Sequence, residues 1–381
     1  MRKSFVRAND NTNHHMKKII AFTAIFATAG ASAWAAAFTA GDLVIYRVGT
    51  GSGALSSSST AVFLDEYTTT GTLVQSIAVD TSGSNQLTAS GSATSEGMLT
   101  RSADGKYIAI SGYDAATGVA SIKGTASSVT QRAALVYGTS GTVVSKTTFG
   151  TTAFSGDNVR SAYTSDGTNV WMSGTGSNTT TNGGVWYSNG ATTTQIAGGN
   201  IRDINVSGGQ MYASTGAGSS SRIEQLGSGV PTSTASFSNL NGLPTSGNAE
   251  QFAFFDLNGS VAGIDTLYYA TETTLAKYTF NGTTWAAAGT VSGSIFGLTA
   301  VLNGSNVDLY ATTATTLVKF TDTTGALGSI SGSFTTLATA GTNTNFRGVT
   351  FTAVPEPTTT AIGIVGLLGA ILVFRRKFES Q

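Results

Sequence analysis

Three arginines stand at matching places in repeated segments of the chain. Aligning these segments by their turn glycines places one residue of each in a column near the start of a predicted strand. The column reads Met98, Arg160, Arg202, Phe252, Gly297 and Arg347. Arginine binds a carboxylate or a sulfate through two parallel hydrogen bonds, so three arginines at one level would suit an acidic sugar. Alternatively, each arginine pairs with a nearby carboxylate, such as Asp157 or Asp203, or extends into solvent.

Two acidic patterns are weaker candidates for a site. The segment DLNGS, from Asp256 to Ser260, resembles the start of a calcium loop. It has no downstream bidentate glutamate, so we interpret it as a turn. Asp65 and Glu66 are neighbours in a predicted strand and would face opposite sides of it, which makes them a poor carboxylate pair.

Aromatic residues give a further candidate, because sugar rings stack on aromatic faces. The same residue types commonly pack between sheets, and the sequence leaves both roles open. The residues are Trp171, Trp186, Tyr187 and Trp285.

The residue types that are absent exclude most catalytic chemistry. The chain has no cysteine, and its two histidines, His14 and His15, precede a predicted cleavage site. Thiolate nucleophiles, Ser-His-Asp catalysis and nearly all zinc sites are therefore excluded from the body of the protein. A glycosidase with two carboxylates, or a lyase using tyrosine and arginine, remains compatible with the sequence. We expect no metal and no cofactor.

The composition favours an all-β protein. The 381 residues include 48 glycines, 106 serines and threonines, and only four prolines. Hydrophobic residues make up 40% of the chain, which is enough for a packed core. Many short strands joined by turns of small residues fit this balance.

Five segments share one pattern, in which an apolar strand, a turn with glycine and a second apolar strand follow one another. Paired strands around an Asp-Gly or Asn-Gly turn are a strong hairpin signal. Two further strand-like pieces follow each hairpin, giving about four strands in 40 to 60 residues, the period of a β-propeller blade. A pair of β-sandwiches or a β-solenoid is the alternative architecture. The turn glycines are Gly105, Gly167, Gly209, Gly259 and Gly304.

The two ends of the body supply complementary halves of one more unit. Residues 346–351 have the pattern of a first strand, and residues 42–46, 61–67 and 73–79 have those of a second, third and fourth strand. Joining them would close a ring. First strands near residues 98, 159, 201, 252, 296 and 346 predict six blades, or seven if residues 114–158 contain another.

The N-terminal segment has the three parts of a secretory signal. Lys17 and Lys18 follow Met16, which we take as the start, and an apolar stretch runs from there to about residue 29. Ala31 and Ala33 form a cleavage pattern of small residues. We therefore predict a signal helix within residues 1–37 and cleavage near residues 33–37.

The C-terminal segment begins with Val354-Pro355-Glu356-Pro357 and continues through a threonine run. Residues 361–374 form an unbroken stretch of 14 apolar residues, and we predict a transmembrane helix at about 358–374. The apolar stretch covers about 21 Å as a helix, which is short for a bilayer core of about 30 Å. Arg375, Arg376 and Lys377 end the span and would stay cytoplasmic, leaving the body outside.

Residues 354–381 resemble the PEP-CTERM sorting signal of Gram-negative bacteria. The resemblance implies that Pro355, Glu356 and Pro357 are recognised by an exosortase-type membrane transpeptidase, which removes the tail. It also implies a link to exopolysaccharide or the biofilm matrix. The body, from DLVIYRVGTGSGAL to NFRGVTF, resembles uncharacterised secreted bacterial proteins that carry this tail.

The charge of the body argues against some partners. Residues 38–354 contain 12 Lys and Arg against 17 Asp and Glu, a formal net charge of −5. We therefore expect neither nucleic acid nor an anionic membrane surface as the main partner.

These patterns predict three regions: residues 1–37 as a signal peptide, 38–353 as a β-propeller and 354–381 as a sorting signal. We expect an exported, non-enzymatic protein, held at the cell surface or in the extracellular matrix after C-terminal processing. Its expected partners are the secretion machinery, an exosortase-type transpeptidase and an exopolysaccharide. The alternative is an extracellular glycosidase or lyase that acts on polysaccharide.

Overall fold

The computed structural model describes residues 36–354, which contain β-strands, turns and one short 3-10 helix at Ile122–Gly124. The predicted signal cleavage site, sorting motif, basic cluster and terminal helices lie outside these residues. The described strands form six antiparallel meanders of four strands, plus one additional strand. The all-β prediction is confirmed.

The first meander joins the two ends of the body. Its strands, in spatial order, are β25 (Asn345–Phe351), β1 (Leu43–Val48), β2 (Ser59–Tyr67) and β3 (Leu73–Ala78). Strand β1 pairs with β25 in antiparallel register, with Leu43 opposite Phe351 and Ile45 opposite Val349. The predicted closure of the ends is therefore confirmed.

The second and third meanders follow in chain order. The second is β5 (Met98–Arg101), β6 (Ile108–Tyr113), β7 (Arg132–Tyr137) and β8 (Val143–Thr148). The third is β9 (Val159–Thr164), β10 (Val170–Gly174), β11 (Gly184–Ser188) and β12 (Thr193–Ala197). Residues 114–158 contribute only β7, β8, the 3-10 helix and loops, so they contain no further meander.

The last three meanders each form a separate four-stranded sheet. The fourth is β13 (Ile201–Ser207), β14 (Gln210–Thr215), β15 (Ile223–Leu226) and β16 (Phe237–Asn239). The fifth is β17 (Phe252–Phe255), β18 (Thr266–Ala270), β19 (Thr274–Phe280) and β20 (Trp285–Ser292). The sixth is β21 (Gly297–Asn303), β22 (Asn306–Thr312), β23 (Thr316–Asp322) and β24 (Thr335–Thr339).

The additional strand, β4 (Thr88–Ser90), was not predicted from the sequence. It pairs with residues 59–61 of β2 and with Tyr113 of β6, so it links the first meander to the second. Only three residues long, it shows no alternating pattern by which it could be recognised.

The first strands of the meanders contact one another in a closed order, from β25 through β5, β9, β13, β17 and β21 back to β25. The hydrophobic core is divided accordingly into six clusters, and each cluster lies between two consecutive meanders. One example is the cluster of Ile45, Leu317 and Val349, which joins the sixth meander to the first. The first three meanders are also joined at their edges into one 13-stranded sheet, through β4 and through the parallel pairing of β5 with β9. Four-stranded meanders that pack face to face around a common centre define a β-propeller.

Glycine permits most of the hairpin turns between first and second strands. Gly105, Gly167, Gly209 and Gly304 have φ of 76°, 86°, 75° and 63°, a left-handed backbone that costs glycine little. Gly259 is different because its turn is longer, and Asp265 holds that turn by accepting hydrogen bonds from nearby backbone N–H groups.

Candidate functional site

The three aligned arginines lie at one end of their strands but do not line an open channel. Arg160 and Arg347 are 7% and 1% exposed, and the side chain of Arg202 is 14% exposed. A ligand in solvent could reach only Arg202 without rearrangement.

Each of these arginines extends toward the next meander around the ring. Arg160 Nη1 donates to the side-chain oxygen of Asn200 and to the backbone oxygen of Ile201. Arg347 Nη2 donates to the backbone oxygen of Gly91 at 3.1 Å. These contacts hold neighbouring sheets together, and they are neither the carboxylate pairs nor the solvent exposure that the sequence offered as the alternative.

Arg202 forms the most extensive of these clusters. Its Nη1 donates to Glu250 and, at 2.7 Å, to Glu272 Oε1, while its Nη2 donates to Asn248 Oδ1 at 3.3 Å. Asn248 in turn donates to Glu272 Oε2 at 2.5 Å. The cluster therefore joins the start of β13 to two segments of the fifth meander.

The acidic partners suggested by the sequence are not the ones found. Asp157 lies 3.8 Å from the ammonium group of Lys123, and it forms no ion pair with Arg160. Asp203 is fully buried without a cation within 4.0 Å among the described residues. Burial raises the pKa of Asp203 to about 8.

Glu250 and Glu272 have opposite electrostatic surroundings. Glu250 is fully buried, and this burial raises its pKa to about 8 although Arg202 opposes the change. Burial acts on Glu272 in the same direction, but the hydrogen bond from Glu250 and the charge of Arg202 hold its pKa below the usual value. Glu272 also has φ of 70°, a strained conformation for a residue other than glycine.

This carboxyl pair does not have the geometry for cleaving a glycosidic bond. Glycosidases place their two carboxyl groups about 5 to 9.5 Å apart, on either side of the bond that breaks. Here both carboxyl groups bind the same Arg202 nitrogen and share a hydrogen bond. Because Glu250 is buried beneath this contact, no sugar fits between the two groups.

Glu96 is a second buried carboxyl group at the same end of the strands. It accepts hydrogen bonds from the Tyr113 hydroxyl at 2.6 Å, from Asn158 Nδ2 at 2.8 Å and from the Ser90 backbone at 2.9 Å. Burial raises its pKa to about 7, against the effect of these hydrogen bonds.

These buried groups were not among the residues predicted from the sequence. The column two residues before the arginine column contains a signal for them. It holds Glu96, Asn158, Asn200 and Glu250 in the second to fifth meanders. Asn200 and Glu250 bind the arginines of the preceding unit, Arg160 and Arg202, whereas Glu96 and Asn158 bind each other.

The centre of the ring is bridged by Gln251. Its Nε2 donates to the backbone oxygen of Leu99 at 2.8 Å, and its Oε1 accepts from the backbone N–H groups of Leu298 and Val349. One amide side chain therefore connects the first strands of the second, sixth and first meanders to the fifth.

A groove of about 470 Å³ lies between the sixth and first meanders. The carboxylate of Asp65 accepts hydrogen bonds from Arg47 Nε at 2.5 Å and Arg47 Nη2 at 3.2 Å, and from Ser76 Oγ at 2.5 Å. The guanidinium stacks 4.1 Å from the centre of the Phe63 ring, which fixes its plane. Leu73, which is 51% exposed, adds an apolar wall. The groove is also lined by Thr50, Thr339, Thr342 and Thr344.

Asp65 and Glu66 contact different partners, so they do not form a carboxylate pair. Glu66 accepts hydrogen bonds from the Thr39 backbone at 2.6 Å and from Gln75 at 2.5 Å. The DLNGS segment forms a turn, in which Asn258 accepts from the Ser260 backbone. Within residues 36–354, no group of three or more acidic, histidine or cysteine side chains could hold a metal ion.

The aromatic residues considered for sugar stacking mostly pack inside the protein. Trp171, Trp186 and Trp285 are 2%, 7% and 6% exposed, and Trp171 Nε1 donates to the Pro231 backbone at 2.6 Å. Tyr187 is half-buried against Trp171, with ring centres 4.9 Å apart. Their faces are therefore occupied by protein.

Comparison with known proteins gives no family for this chain. No protein-family model matches it, and no curated protein does. Among solved structures, it is similar to a functionally unknown protein from Desulfotomaculum acetoxidans, with 12% identity, 77% of this chain and 88% of that chain covered, and a TM-score of 0.40. It is also similar to the periplasmic gluconolactonase PpgL of Pseudomonas aeruginosa, with 14% identity, coverage of 73% and 78%, and a TM-score of 0.41. Similarities of this size carry no inference about activity, and the fold assignment here depends on the strand pairing.

In the part of the chain that the structure describes, no helix is long and apolar enough to cross a bilayer. The predicted span at 358–374 lies outside that part.

Proposed function

We propose that this protein is an exported six-bladed β-propeller that binds polysaccharide at the cell surface or in the extracellular matrix without cleaving it. Each of the six meanders is one blade. The closed order of the first strands and the six core clusters between consecutive meanders support this blade number.

The groove between the sixth and first blades is the main support for the proposed polysaccharide binding. Polysaccharides present many hydroxyl groups, which need donors and acceptors held in fixed positions. The Arg47–Asp65 pair is bidentate and rigid, and hydroxyl side chains surround it. The volume of about 470 Å³ is within the range of small-ligand sites.

The arrangement of acidic residues favours binding over catalysis. A glycosidase of the common type needs two carboxyl groups separated by the width of the reacting bond, and Glu250 and Glu272 are joined through Arg202 instead. Glu250 and Glu272 therefore do not form the catalytic pair that a polysaccharide-cleaving enzyme of this type would need.

Binding can be tested by co-sedimentation of the full chain with the exopolysaccharide of the producing organism. Thr342 is exposed at the edge of the groove, so Thr342→Trp should block it and reduce the bound fraction at least about fivefold. Thr283 is an exposed turn residue of the fifth blade and gives a matched control, because Thr283→Trp should leave binding unchanged. Equal binding by both variants would rule out this groove.

Export and sorting are proposed from the sequence of the two ends. Mass spectrometry of the protein recovered from the cell surface should show an N-terminus near residues 33–37 and a C-terminus before the apolar stretch at 361–374. An intact tail on the surface protein would contradict processing by an exosortase-type enzyme.

A further inference from the structure

A second cavity, of about 230 Å³, lies at the centre of the ring, near the ends of the first strands. Leu99, Leu298 and Val349 contribute to its wall, and Phe255 lies at its edge. Gln251 also lines it, with its side-chain oxygen and nitrogen already bonded to backbone groups. The cavity is separate from the groove between the sixth and first blades.

Arg101 is the one charged residue that lines this cavity. Its Nε donates to the backbone oxygen of Gly105 at 3.3 Å, and neither of its Nη groups donates to any acceptor among residues 36–354. No carboxylate of those residues lies within 4.0 Å of it. Its guanidinium is thus held at one nitrogen and free at the other two.

The other arginines of the described segment differ from Arg101 in this respect. In each of them, at least one Nη group donates to an oxygen of the protein. They are Arg47, Arg132, Arg160, Arg202, Arg222 and Arg347.

The backbone at Gly105 favours the position of the free guanidinium. A Cβ atom at this residue would lie 2.2 Å from Arg101 Nη2, so a side chain here would displace the end of the arginine. Arg101 is partly buried, and burial disfavours its charged form by lowering its pKa. A partly desolvated cation with unbonded Nη groups gains more from an anionic ligand than an exposed cation does.

We propose that this central cavity binds a small carboxylate, with Arg101 as its anchor. Two free Nη groups in one plane match the two oxygens of a carboxylate. The cavity volume is below the usual range of about 300 to 1,000 Å³ for ligand pockets, so the ligand is no larger than a single sugar ring. A sugar acid and an apolar organic acid share this chemistry.

Calorimetric titration of the full chain tests the proposal with two probes, glucuronate and benzoate. The matched neutral compounds are glucose and benzamide. At least one of the two carboxylates should bind with a stoichiometry of one, and its neutral counterpart should bind at least about tenfold more weakly. Binding of glucuronate alone assigns a sugar acid, and binding of benzoate alone assigns an apolar acid.

Three variants locate the binding. Arg101→Gln should weaken it at least about tenfold. Lys123→Gln removes an exposed cation elsewhere and should have no effect. Ala300→Trp should abolish binding by filling the cavity, which Ala300 lines without being fully buried.

Several results would overturn the proposal. These are failure of both carboxylates to bind, equal binding of the neutral compounds, or full affinity in a folded Arg101→Gln variant. None of them depends on the polysaccharide groove, because the two cavities share no lining residue.

Discussion

The side chain of Gln251 donates a hydrogen bond to the backbone oxygen of Leu99 at 2.8 Å, across 152 positions of sequence. The same side chain accepts from two other first strands, at Leu298 and Val349. Propeller sheets pack through their faces, whereas these bonds join the inner strands directly. Hydrogen bonds through Gln251 therefore connect the inner strands at the centre of the ring, and Gln251 lines the central cavity.

Loss of the Gln251 bonds should destabilise the whole body. Gln251→Met keeps the length of the side chain but removes three hydrogen bonds, leaving buried backbone groups at Leu99, Leu298 and Val349 without this partner. Each such group costs about 1 to 3 kcal/mol, so the free energy of unfolding should fall by at least about 3 kcal/mol. Urea denaturation measures it. Gln131→Met is the control, and an equal effect of both variants would show that the central bonds contribute nothing.

Stability should decrease as pH rises from about 5 to 8. The folded protein keeps protons on Glu250 and Asp203 up to about pH 8, and on Glu96 up to about pH 7, whereas these groups have ordinary pKa values of 4.5 or 3.8 when exposed. The unfolded chain binds fewer protons in that window, so each group lowers the stability by roughly 1 kcal/mol per pH unit.

Urea denaturation at several pH values checks this dependence. Glu250→Gln and Asp203→Asn should each reduce the slope, because the replacement cannot titrate. A free energy of unfolding that is constant or rises between pH 5 and 8 would show that these carboxyl groups are not desolvated as described.

Removing Arg202 should lower the free energy of unfolding more at high pH than at low pH. Arg202→Met leaves Glu250 buried without its cation. At pH 5 Glu250 holds its proton and loses no charge partner, whereas above about pH 8, where Glu250 of the native protein loses its proton, the cost should grow toward the about 3 to 5 kcal/mol of a broken buried pair. Thermal unfolding at pH 5 and pH 9 measures the difference. Arg101→Met, which removes an arginine without an ion pair, should show little dependence on pH.

A designed disulfide can test the closure of the ring by the two ends of the body. Val44 faces Thr350 in the pairing of β1 with β25, and the native chain has no cysteine to interfere. The variant Val44→Cys, Thr350→Cys should form a disulfide under oxidation and raise the unfolding free energy by up to about 5 kcal/mol. Val44→Cys with Thr352→Cys, shifted by two residues, should form it poorly. Equal crosslinking in both pairs would contradict the observed register.

The fold could be predicted well because each blade repeats a local signal. Hairpin glycines such as Gly105 and Gly167 mark turns that only a left-handed backbone can make, and apolar strands flank them. The incomplete units at residues 42–79 and 346–351 complete each other, which predicted the pairing of β1 with β25. Strand β4 could not be found in this way, because three residues carry no periodicity.

The candidate sites were less predictable because they depend on contacts between units. The arginine column was visible in the sequence, but whether Arg202 faces a ligand or Glu250 depends on how two sheets pack. The groove at Arg47 and Asp65 combines residues from opposite ends of the chain. Arg101 stands out only once the hydrogen bonds of the other arginines are known.

The length of the polymer after incubation distinguishes a polysaccharide-binding protein from a polysaccharide-cleaving one. The full chain is mixed with the producing organism's exopolysaccharide, and the polymer is then examined by size-exclusion chromatography. The protein should elute with polymer of unchanged length, and Thr342→Trp should elute separately from it. Shortened polymer would contradict binding without cleavage and make the protein an enzyme.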